Sequence, residues 1–163
     1  MKHLLIVRHA KSSWNFTDLD DFDRPLNDRG NHDAPEMAKR MLKRDIKVDL
    51  LVSSPAKRAF KTAEYFAEAY DIKNKHIVRV PSLYEAELST FYDVVSWFED
   101  EAKTVALFSH NPGITDFANS LTQTRIDNVP TCGIFAVNIL IKNWSDFRTG
   151  EKQFWFFDYP KAG

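Results

Sequence analysis

The sequence predicts an α/β protein: a single three-layer α/β/α domain with a mainly parallel central sheet, helices on both faces and a C-terminal antiparallel hairpin at one edge. Short apolar runs alternate with amphipathic segments from residue 4 to residue 121, which is typical of strands and helices wound around a parallel sheet. Two apolar and aromatic runs, residues 134–141 and 153–157, then follow each other across a loop, which predicts the hairpin. The chain has 163 residues without a linker, repeat or low-complexity tract, so residues 1–163 are expected to form one domain.

The composition argues against several classes of partner. The net charge is −1, with 44% hydrophobic and 28% charged residues, whereas a dedicated nucleic-acid binder carries a basic excess. No window approaches the ~20 apolar residues of a membrane span, and Lys2 and His3 precede only four apolar residues, too few for the core of a signal peptide. We therefore expect no nucleic-acid partner, no membrane partner and a cytoplasmic location.

Cys132 is the only cysteine. A lone cysteine excludes a disulfide within the chain and a multi-cysteine metal site, and it fits a reducing compartment. We expect it to be a buried structural thiol.

The first predicted strand covers residues 4–7, because a four-residue apolar run bounded by charge is typical of a buried parallel strand. A polar loop over residues 12–29 follows, broken by proline, asparagine and glycine. From residue 31 to about residue 44 the apolar side chains recur with helical spacing, opposite lysine and arginine, which predicts a surface helix over the sheet. Its apolar positions are Ala34, Met37, Ala38, Met41 and Leu42.

The same pattern repeats along the next segment. Residues 50–52 predict a second buried strand, and Ser53-Ser54-Pro55 predicts a serine N-cap and a first-turn proline for a helix that runs to about Tyr70. Residues 77–80 predict a short third strand, and residues 81–86 a turn-like connection.

The last helices and the fourth strand follow. Ser89 or Thr90 is expected to cap a helix that runs to about Asp100. Residues 104–109 predict the fourth strand, and a further helix is expected to end at about Leu121.

Basic residues and histidines stand at the ends of these strands. Arg8 and His9 follow the first strand, Arg58 lies one turn into the helix after the second, and His110 follows the fourth. Open α/β sheets bind ligands at this edge, where helix N-termini also favour anions. A guanidinium matches phosphate oxygens and a neutral imidazole is a nucleophile or base, so the four residues together indicate a phosphate site. Singly, each has an ordinary explanation as a surface arginine or a hydrogen-bonded histidine.

The combination resembles the histidine phosphatase superfamily, also called the phosphoglycerate mutase-like family. Its signature is an Arg-His-Gly strand end, and Arg8-His9-Ala10 carries the alanine familiar from the small phosphohistidine phosphatase, or SixA-like, branch. The other matching segments, in order over residues 4–121, are Ser12 with Trp14 and Asn15, Arg24-Pro25-Leu26 with Gly30, Ser54-Pro55-Ala56-Lys57-Arg58-Ala59 with Thr62-Ala63, Leu83-Tyr84-Glu85, and Ser109-His110.

The resemblance implies a mechanism. His9 would attack phosphorus and become a transient phosphohistidine, which water then hydrolyses. Arg8, Arg58 and His110 would bind and stabilise the phosphoryl oxygens, with Asn15 as a further neutral donor. No cofactor and no metal are expected, because two arginines oppose a cation at the same place.

Glu85 has two interpretations that the sequence leaves open. Its place in Leu83-Tyr84-Glu85 resembles that of the proton donor to the leaving group in mutase-like proteins. It is equally a turn carboxylate paired with a nearby arginine or lysine. An alcohol leaving group, about as weak an acid as water with pKa ~15.7, needs that proton, whereas a histidine with pKa ~6.5 leaves with far less help.

The substrate is the least determined feature. Only 26 residues lie between Arg58 and Glu85 and 24 between Glu85 and His110, which leaves no room for a lid domain. A short, open site favours phosphohistidine on a signalling protein as substrate and partner. The alternatives are a small-molecule phosphomonoesterase or phosphoglycerate-type mutase and, more weakly, a non-catalytic phosphate-recognition module. The oligomeric state is not predicted.

Three remaining features receive structural interpretations. The acidic cluster Asp18, Asp20, Asp21 and Asp23 lacks the glycine and the terminal glutamate of a calcium loop, so it is expected to be a solvated loop. The aromatic run at residues 154–157 is interpreted as a sheet strand rather than a patch for a partner protein. His3, His32 and His76 are expected to be surface residues.

Overall fold

The computed structural model describes residues 1–15 and 18–162, and within them the chain forms six strands and four α-helices. In chain order they are β1 (Lys2–Arg8), α1 (Asp28–Lys43), β2 (Leu50–Ser53), α2 (Lys57–Ala69), β3 (Val78–Arg79), α3 (Leu88–Ser96), β4 (Thr104–Ser109), α4 (Gly113–Leu121), β5 (Ile134–Ile139) and β6 (Lys152–Asp158). The predicted alternation of strands and helices is therefore present, and the aromatic run near the C-terminus is a strand, as interpreted.

The strands form one sheet in the order β3-β2-β4-β1-β5-β6. β1 pairs in parallel with β4 on one side and antiparallel with β5 on the other, and β6 completes the antiparallel edge hairpin. Arg8 lies opposite Ser109 in the β1–β4 register. The residues that follow these two, His9 and His110, consequently leave the sheet side by side.

Alternation along β1 divides the core into two layers. Leu5 and Val7 pack with side chains of α1 and α2, whereas Leu4 and Ile6 pack with side chains of α3 and α4. All four are fully buried, as expected for a central strand covered on both faces. The predicted three-layer architecture with a mainly parallel sheet is confirmed.

The helix starts differ from those predicted. α1 begins at Asp28 rather than at residue 31, because the side chain of Asn27 accepts a hydrogen bond from the Gly30 N–H and caps it. The predicted serine cap of α2 is wrong: Ala56 is the N-cap and no side chain caps the helix. The hydroxyl of Ser54, two residues before Ala56, accepts a hydrogen bond from the Ala56 N–H at 3.3 Å.

α3 is also shifted. It begins at Leu88 with Glu87 at the N-cap, and no side chain caps it, so the expected cap at Ser89 or Thr90 is wrong. It ends at Ser96, four residues before the predicted Asp100. Helix ends depend on local turns that a hydrophobic pattern does not specify.

Candidate active site

A cleft of about 660 Å³ opens at the carboxyl edge of the sheet. It collects side chains from the ends of β1 and β4, the first turn of α2 and the segment before α3. The lining includes Arg8, His9, Arg58, Glu85 and His110. The structure thus brings together residues that are spread over a hundred positions of the sequence.

His9 is held in one orientation by two contacts. Its Nδ1 lies 2.7 Å from the carbonyl oxygen of Ala10, and because a carbonyl only accepts, Nδ1 carries the proton. Nε2 then presents its lone pair to the Nε–H of Arg58, 3.4 Å away. Burial, opposed by the hydrogen bond to Ala10 and reinforced by the nearby arginines, lowers the pKa of His9 to about 3. The ring is therefore uncharged at neutral pH, with Nε2 as its unprotonated, nucleophilic atom.

Arg58 is buried against His9 and against a loop that precedes α1. Besides the Nε contact, its Nη1 donates to the carbonyl oxygen of Asp21 at 2.6 Å and its Nη2 donates to the Asp21 carboxylate at 3.0 Å. This ion pair partly balances a buried charge beside the nucleophile.

Arg8, the last residue of β1, directly precedes His9 and supplies the second arginine of the cleft. Its Nη1 donates to the carbonyl oxygen of Val129 at 3.0 Å, while its buried Nε has no partner among residues 1–15 and 18–162. Burial and the charge of Arg58 lower the pKa of Arg8, although a guanidinium remains charged at any physiological pH. An anion would therefore find an unsatisfied cationic donor here.

His110 completes the group of four. Its Nε2 lies 2.7 Å from Oγ of Ser54, and its ring centroid lies 5.2 Å from that of His9. Burial, the neighbouring His9 and Arg58 lower the pKa of His110 to about 3. Its Nδ1 is buried and has no hydrogen-bond partner in the described part of the chain.

Hydrogen bonds from Cys132 and Thr62 hold the end of β1 in place. The N–H of Cys132, which is buried as predicted, lies within 3.1 Å of the carbonyl oxygens of both Arg8 and His9. The hydroxyl of Thr62 accepts from the Ala10 N–H at 3.0 Å and donates to the carbonyl oxygen of Arg58 at 2.8 Å. These contacts fix the position of the His9 main chain relative to α2.

Asp21 is a cleft residue that the sequence interpretation missed. Asp18, Asp20, Asp21 and Asp23 are all exposed, as a solvated loop predicts, but Asp21, whose side chain is 49% exposed, also lines the cleft. Burial raises its pKa, but hydrogen bonds from Tyr84, Arg58 and Arg24 outweigh burial and lower the pKa to about 2. The spacing of charges within the loop does not reveal this, because Arg58 and Tyr84 come from elsewhere in the fold.

Glu85 and Asn15 occupy less constrained positions. Glu85 is exposed at the rim of the cleft with φ of 56°, and within the described residues its carboxylate pairs with no arginine or lysine at salt-bridge distance. Asn15 is exposed and does not line the cleft; its N–H donates to Oγ of Ser13. Their predicted roles stay predictions.

No grouping of three or more histidine, cysteine, aspartate or glutamate side chains suited to a metal ion occurs in residues 1–15 and 18–162. None of the helices in these ranges is long and apolar enough to cross a membrane.

The model of the histidine phosphatase superfamily (branch 1) matches residues 4–113. The chain belongs to the histidine phosphatase superfamily. By this membership it is a phosphatase, and the predicted superfamily is confirmed. The match contains Arg8, His9, Arg58 and His110 and ends in the first residue of α4.

Two curated relatives show how far the sequence similarity extends. An uncharacterized chloroplastic protein of Arabidopsis thaliana is 25% identical over 153 residues, which cover 89% of this chain and 70% of that protein. Phosphoserine phosphatase 1 of Hydrogenobacter thermophilus is 34% identical over 91 residues, which cover 53% of this chain and 40% of that enzyme. The second similarity thus spans well under two thirds of the relative.

Solved structures match over the whole length. The protein histidine phosphatase SixA complexed with tungstate superposes with a TM-score of 0.82 at 19% identity, covering 97% of both chains. The proposed phosphohistidine phosphatase SixA of Agrobacterium tumefaciens gives a TM-score of 0.81 at 24% identity, covering 98% of both chains. The resemblance to the SixA-like branch therefore extends to the complete fold.

Proposed function

We propose that this phosphatase removes the phosphoryl group from phosphohistidine in proteins, through a phosphohistidine intermediate on His9. The observation that carries the proposal is the state of His9: Nδ1 donates to the carbonyl oxygen of Ala10, so an uncharged Nε2 is directed at the phosphate-binding donors. A neutral imidazole with a fixed tautomer is the form required of a nitrogen nucleophile. The contact from the Nε–H of Arg58 to its Nε2 lone pair is long for a hydrogen bond, at 3.4 Å, so a phosphoryl group can displace it.

In the first step the substrate ring carries a proton on its other nitrogen, and the Nε2 lone pair of His9 attacks phosphorus. The bond to the leaving nitrogen breaks with its electron pair, so that a neutral imidazole departs, while the proton on Nδ1 of His9 stays bonded to the carbonyl oxygen of Ala10. In the second step water attacks the same phosphorus, its proton is lost to solvent, and the Nε2–P bond breaks to release inorganic phosphate. The N–H groups of Arg58 that face His9 and the unpartnered Nε–H of Arg8 stabilise the equatorial oxygens in both steps.

His110 contributes a neutral donor. Nε2 of His110 lies 2.7 Å from Oγ of Ser54, and in the tautomer that serves as a phosphate donor this hydroxyl donates to Nε2. This leaves the Nδ1–H of His110 as the donor for a phosphoryl oxygen. The cationic Arg8 and Arg58 take the place that a metal ion fills in other phosphoryl-transfer sites, so the reaction is proposed to be metal-independent.

The preference for phosphohistidine rests on the shape of the site and on leaving-group chemistry. The segments between Arg58 and Glu85 and between Glu85 and His110 contain the rest of α2, β3, α3, β4 and short turns, which leaves no room for an inserted lid domain. A histidine on a protein surface can approach such a cleft. It is also a good leaving group, with pKa ~6.5. The full-length likeness to SixA structures agrees with this choice of substrate.

A small-molecule phosphomonoesterase is the second candidate. Glu85 stands free at the rim, where it would protonate an alcohol leaving group, and the similarity to a phosphoserine phosphatase points the same way. A phosphoglycerate-type mutase would use the same residues. The non-catalytic alternative predicts phosphate binding without turnover.

The test is a substrate panel run in EDTA: a protein carrying phosphohistidine, phosphoserine and a phosphoglycerate, with parallel acid-avoiding quench and mass spectrometry to locate the labelled residue. We expect turnover of the phosphohistidine protein in excess of either ester, with the label on His9. His9→Ala should abolish both turnover and label, while the exposed His32→Ala serves as the matched control. Faster turnover of the esters would select the second candidate, and unchanged turnover in His9→Ala would exclude every enzymatic form of the proposal.

A further inference from the structure

We propose that Asp21 and Tyr84 form a positioning pair, which presents Arg58 and His110 to the phosphoryl group. The inference rests on the proposed phosphoryl transfer at His9, and it assigns a role to two side chains outside the group of four that contacts the phosphate. Its basis is a continuous set of contacts from Asp21 to both phosphate-binding side chains.

The contact between Asp21 and Arg58 selects one edge of the guanidinium. Asp21 takes the end-on edge, with Nη1 donating to its carbonyl oxygen and Nη2 to its carboxylate. A guanidinium has five N–H donors in a plane, and its side-on edge consists of the Nε–H and the second N–H of Nη2. That remaining edge includes the Nε that faces Nε2 of His9 at 3.4 Å. With Asp21 in place, Arg58 therefore offers a complete bidentate edge next to the nucleophile.

The Asp21 carboxylate also joins three separate segments of the chain. Arg24, from the same loop, donates through Nε to Oδ1 at 3.1 Å; Arg58, from α2, donates to Oδ2; and the hydroxyl of Tyr84, from the segment before α3, donates to Oδ2 at 2.7 Å. Three donors on one carboxylate keep it ionised and limit its rotation. Burial and the hydrogen bond to Asp21 in turn raise the pKa of Tyr84 to about 12, so its hydroxyl remains the donor.

Tyr84 connects Asp21 to His110 through a contact between aromatic rings. Its ring meets the ring of His110 edge-on, with centroids 5.5 Å apart and an interplanar angle of 83°. Phe22, next to Asp21 in the loop, meets the other side of the same ring, with centroids 5.2 Å apart and an angle of 87°. The tyrosine thus bonds Asp21 through its hydroxyl and supports His110 through its ring.

The same contacts allow a competing interpretation with the opposite sign. The Asp21 carboxylate is itself an anion bound to Arg58, and it would act as a plug, meaning that it would occupy donors that the phosphate needs, if the phosphate had to displace it. The positioning role predicts that loss of the carboxylate weakens the binding of a phosphate analogue. The plug predicts that the same loss strengthens it.

The variants that separate these outcomes are Asp21→Asn and Tyr84→Phe. Asp21→Asn keeps the backbone contact to Arg58 but removes the charge, and Tyr84→Phe removes the hydroxyl but keeps the ring beside His110. Asp23→Asn makes the same charge change in the same loop, where the side chain is exposed. Tyr65→Phe removes a tyrosine hydroxyl that donates to Asn31 at the surface, and Tyr65 does not line the cleft.

The measurements are the dissociation constant for orthovanadate by calorimetry, kcat and KM for the phosphohistidine protein, and circular dichroism of each variant at the assay temperature. For Asp21→Asn we expect vanadate affinity and kcat to fall by about 10- to 100-fold, since misplacement of a positioned group by about 1 Å costs on the order of 100-fold. KM should change less than kcat, because the lost contacts strengthen in the transition state. Tyr84→Phe should also lower both the vanadate affinity and kcat. In the double variant, the loss of each should be smaller than the product of the two single-variant losses.

A folded Asp21→Asn variant that binds vanadate as tightly as the parent, or more tightly, would overturn the inference, as would equal losses in the Asp23→Asn control. A purely structural role is distinguished because it lowers the folded fraction without altering the vanadate affinity of the folded molecules. If the parent protein binds vanadate and turns over no phosphorylated substrate, the proposed function fails while the positioning pair is still measured by affinity.

Discussion

The imidazole rings of His9 and His110 lie 5.2 Å apart at an angle of 51°, and both are buried. For both rings burial is the largest cause of a pKa near 3, and Arg58 adds to the effect in each case. Two imidazolium ions at this distance would repel each other beside Arg8 and Arg58, so the site is built to hold both histidines neutral.

The first prediction concerns the titration of His9. Between pH 8 and about 4 its ring should remain neutral, since the folded-state pKa is about 3, whereas a histidine in a peptide titrates near 6.5. NMR of the protein labelled with ¹⁵N-histidine measures this directly, and the His9 signals are assigned by their loss in His9→Asn. We expect no change of the His9 ring nitrogens between pH 7.5 and 5. A titration near pH 6.5 would show that burial and the arginines do not control this ring.

The second prediction concerns stability. The folded-state pKa of His9 and His110 is lower than that of the unfolded chain, so the unfolded chain binds more protons between about pH 6.5 and 3. The free energy of unfolding should therefore be largest above pH 6.5 and fall as the pH decreases through this window. Each histidine contributes up to about 2 kcal/mol of loss between pH 6.5 and 5.

Urea unfolding at pH 7.5 and pH 5.0 measures the loss, in a range above the titration of most carboxyl groups. His9→Asn should show a smaller difference between the two pH values than the parent, and the exposed His76→Asn should show the same difference as the parent. A parent protein whose unfolding midpoint is equal at both pH values would contradict this prediction.

Much of the site could be predicted because parallel strands impose a common edge. The apolar runs before Arg8 and before His110 identify two such strands, and the register of Arg8 with Ser109 places the following histidines side by side. The amphipathic pattern after residue 57 likewise places Arg58 in the first turn of α2. Local patterns therefore predict which residues reach the cleft, because the carboxyl ends of parallel strands lie at one edge of the sheet.

The contacts of Asp21 could not be predicted in the same way. Its carboxylate bonds Arg58, 37 positions away, and Tyr84, 63 positions away, and neither spacing corresponds to a helix or strand period. In the sequence Asp21 is one of four similar aspartates in a polar loop. What distinguishes it is the path of that loop across the cleft, which is a property of the tertiary structure. The starts of α2 and α3 were mispredicted for a related reason, because they are set by turns rather than by serine or threonine caps.

The third prediction tests Glu85 as a proton donor, since the other interpretation, a carboxylate paired with arginine or lysine, has no such partner among the described residues. If it protonates leaving groups, Glu85→Gln should lower kcat for phosphoserine by about 100- to 10,000-fold, the usual contribution of general acid catalysis. Cleavage of phosphohistidine should fall by less than about 10-fold, because imidazole leaves with little protonation. Both values come from steady-state kinetics on the two substrates, with Glu87→Gln as a control for loss of charge at the exposed rim. Equal losses on both substrates would assign Glu85 to binding rather than to proton transfer.

The last prediction concerns Gly30, whose place near the start of α1 is fixed by a close approach rather than by its backbone angles. A Cβ at this position would lie 2.2 Å from the carbonyl oxygen of Lys11, and that oxygen accepts the N–H of Asn27, the cap of α1. Alanine favours a helix over glycine by about 1 kcal/mol, but the clash forces either α1 or the chain after Ala10 to move. We expect Gly30→Ala to lower the free energy of unfolding by about 1–3 kcal/mol, the usual cost of overpacking. Because Lys11 follows the residue that orients His9, kcat should fall as well.

Urea unfolding and steady-state kinetics measure the two effects, and His32→Ala, exposed two residues further along α1, should change neither by a comparable amount. An unaltered Gly30→Ala protein would mean that the Lys11 backbone relaxes freely, and the coupling between α1 and the nucleophile would then be absent.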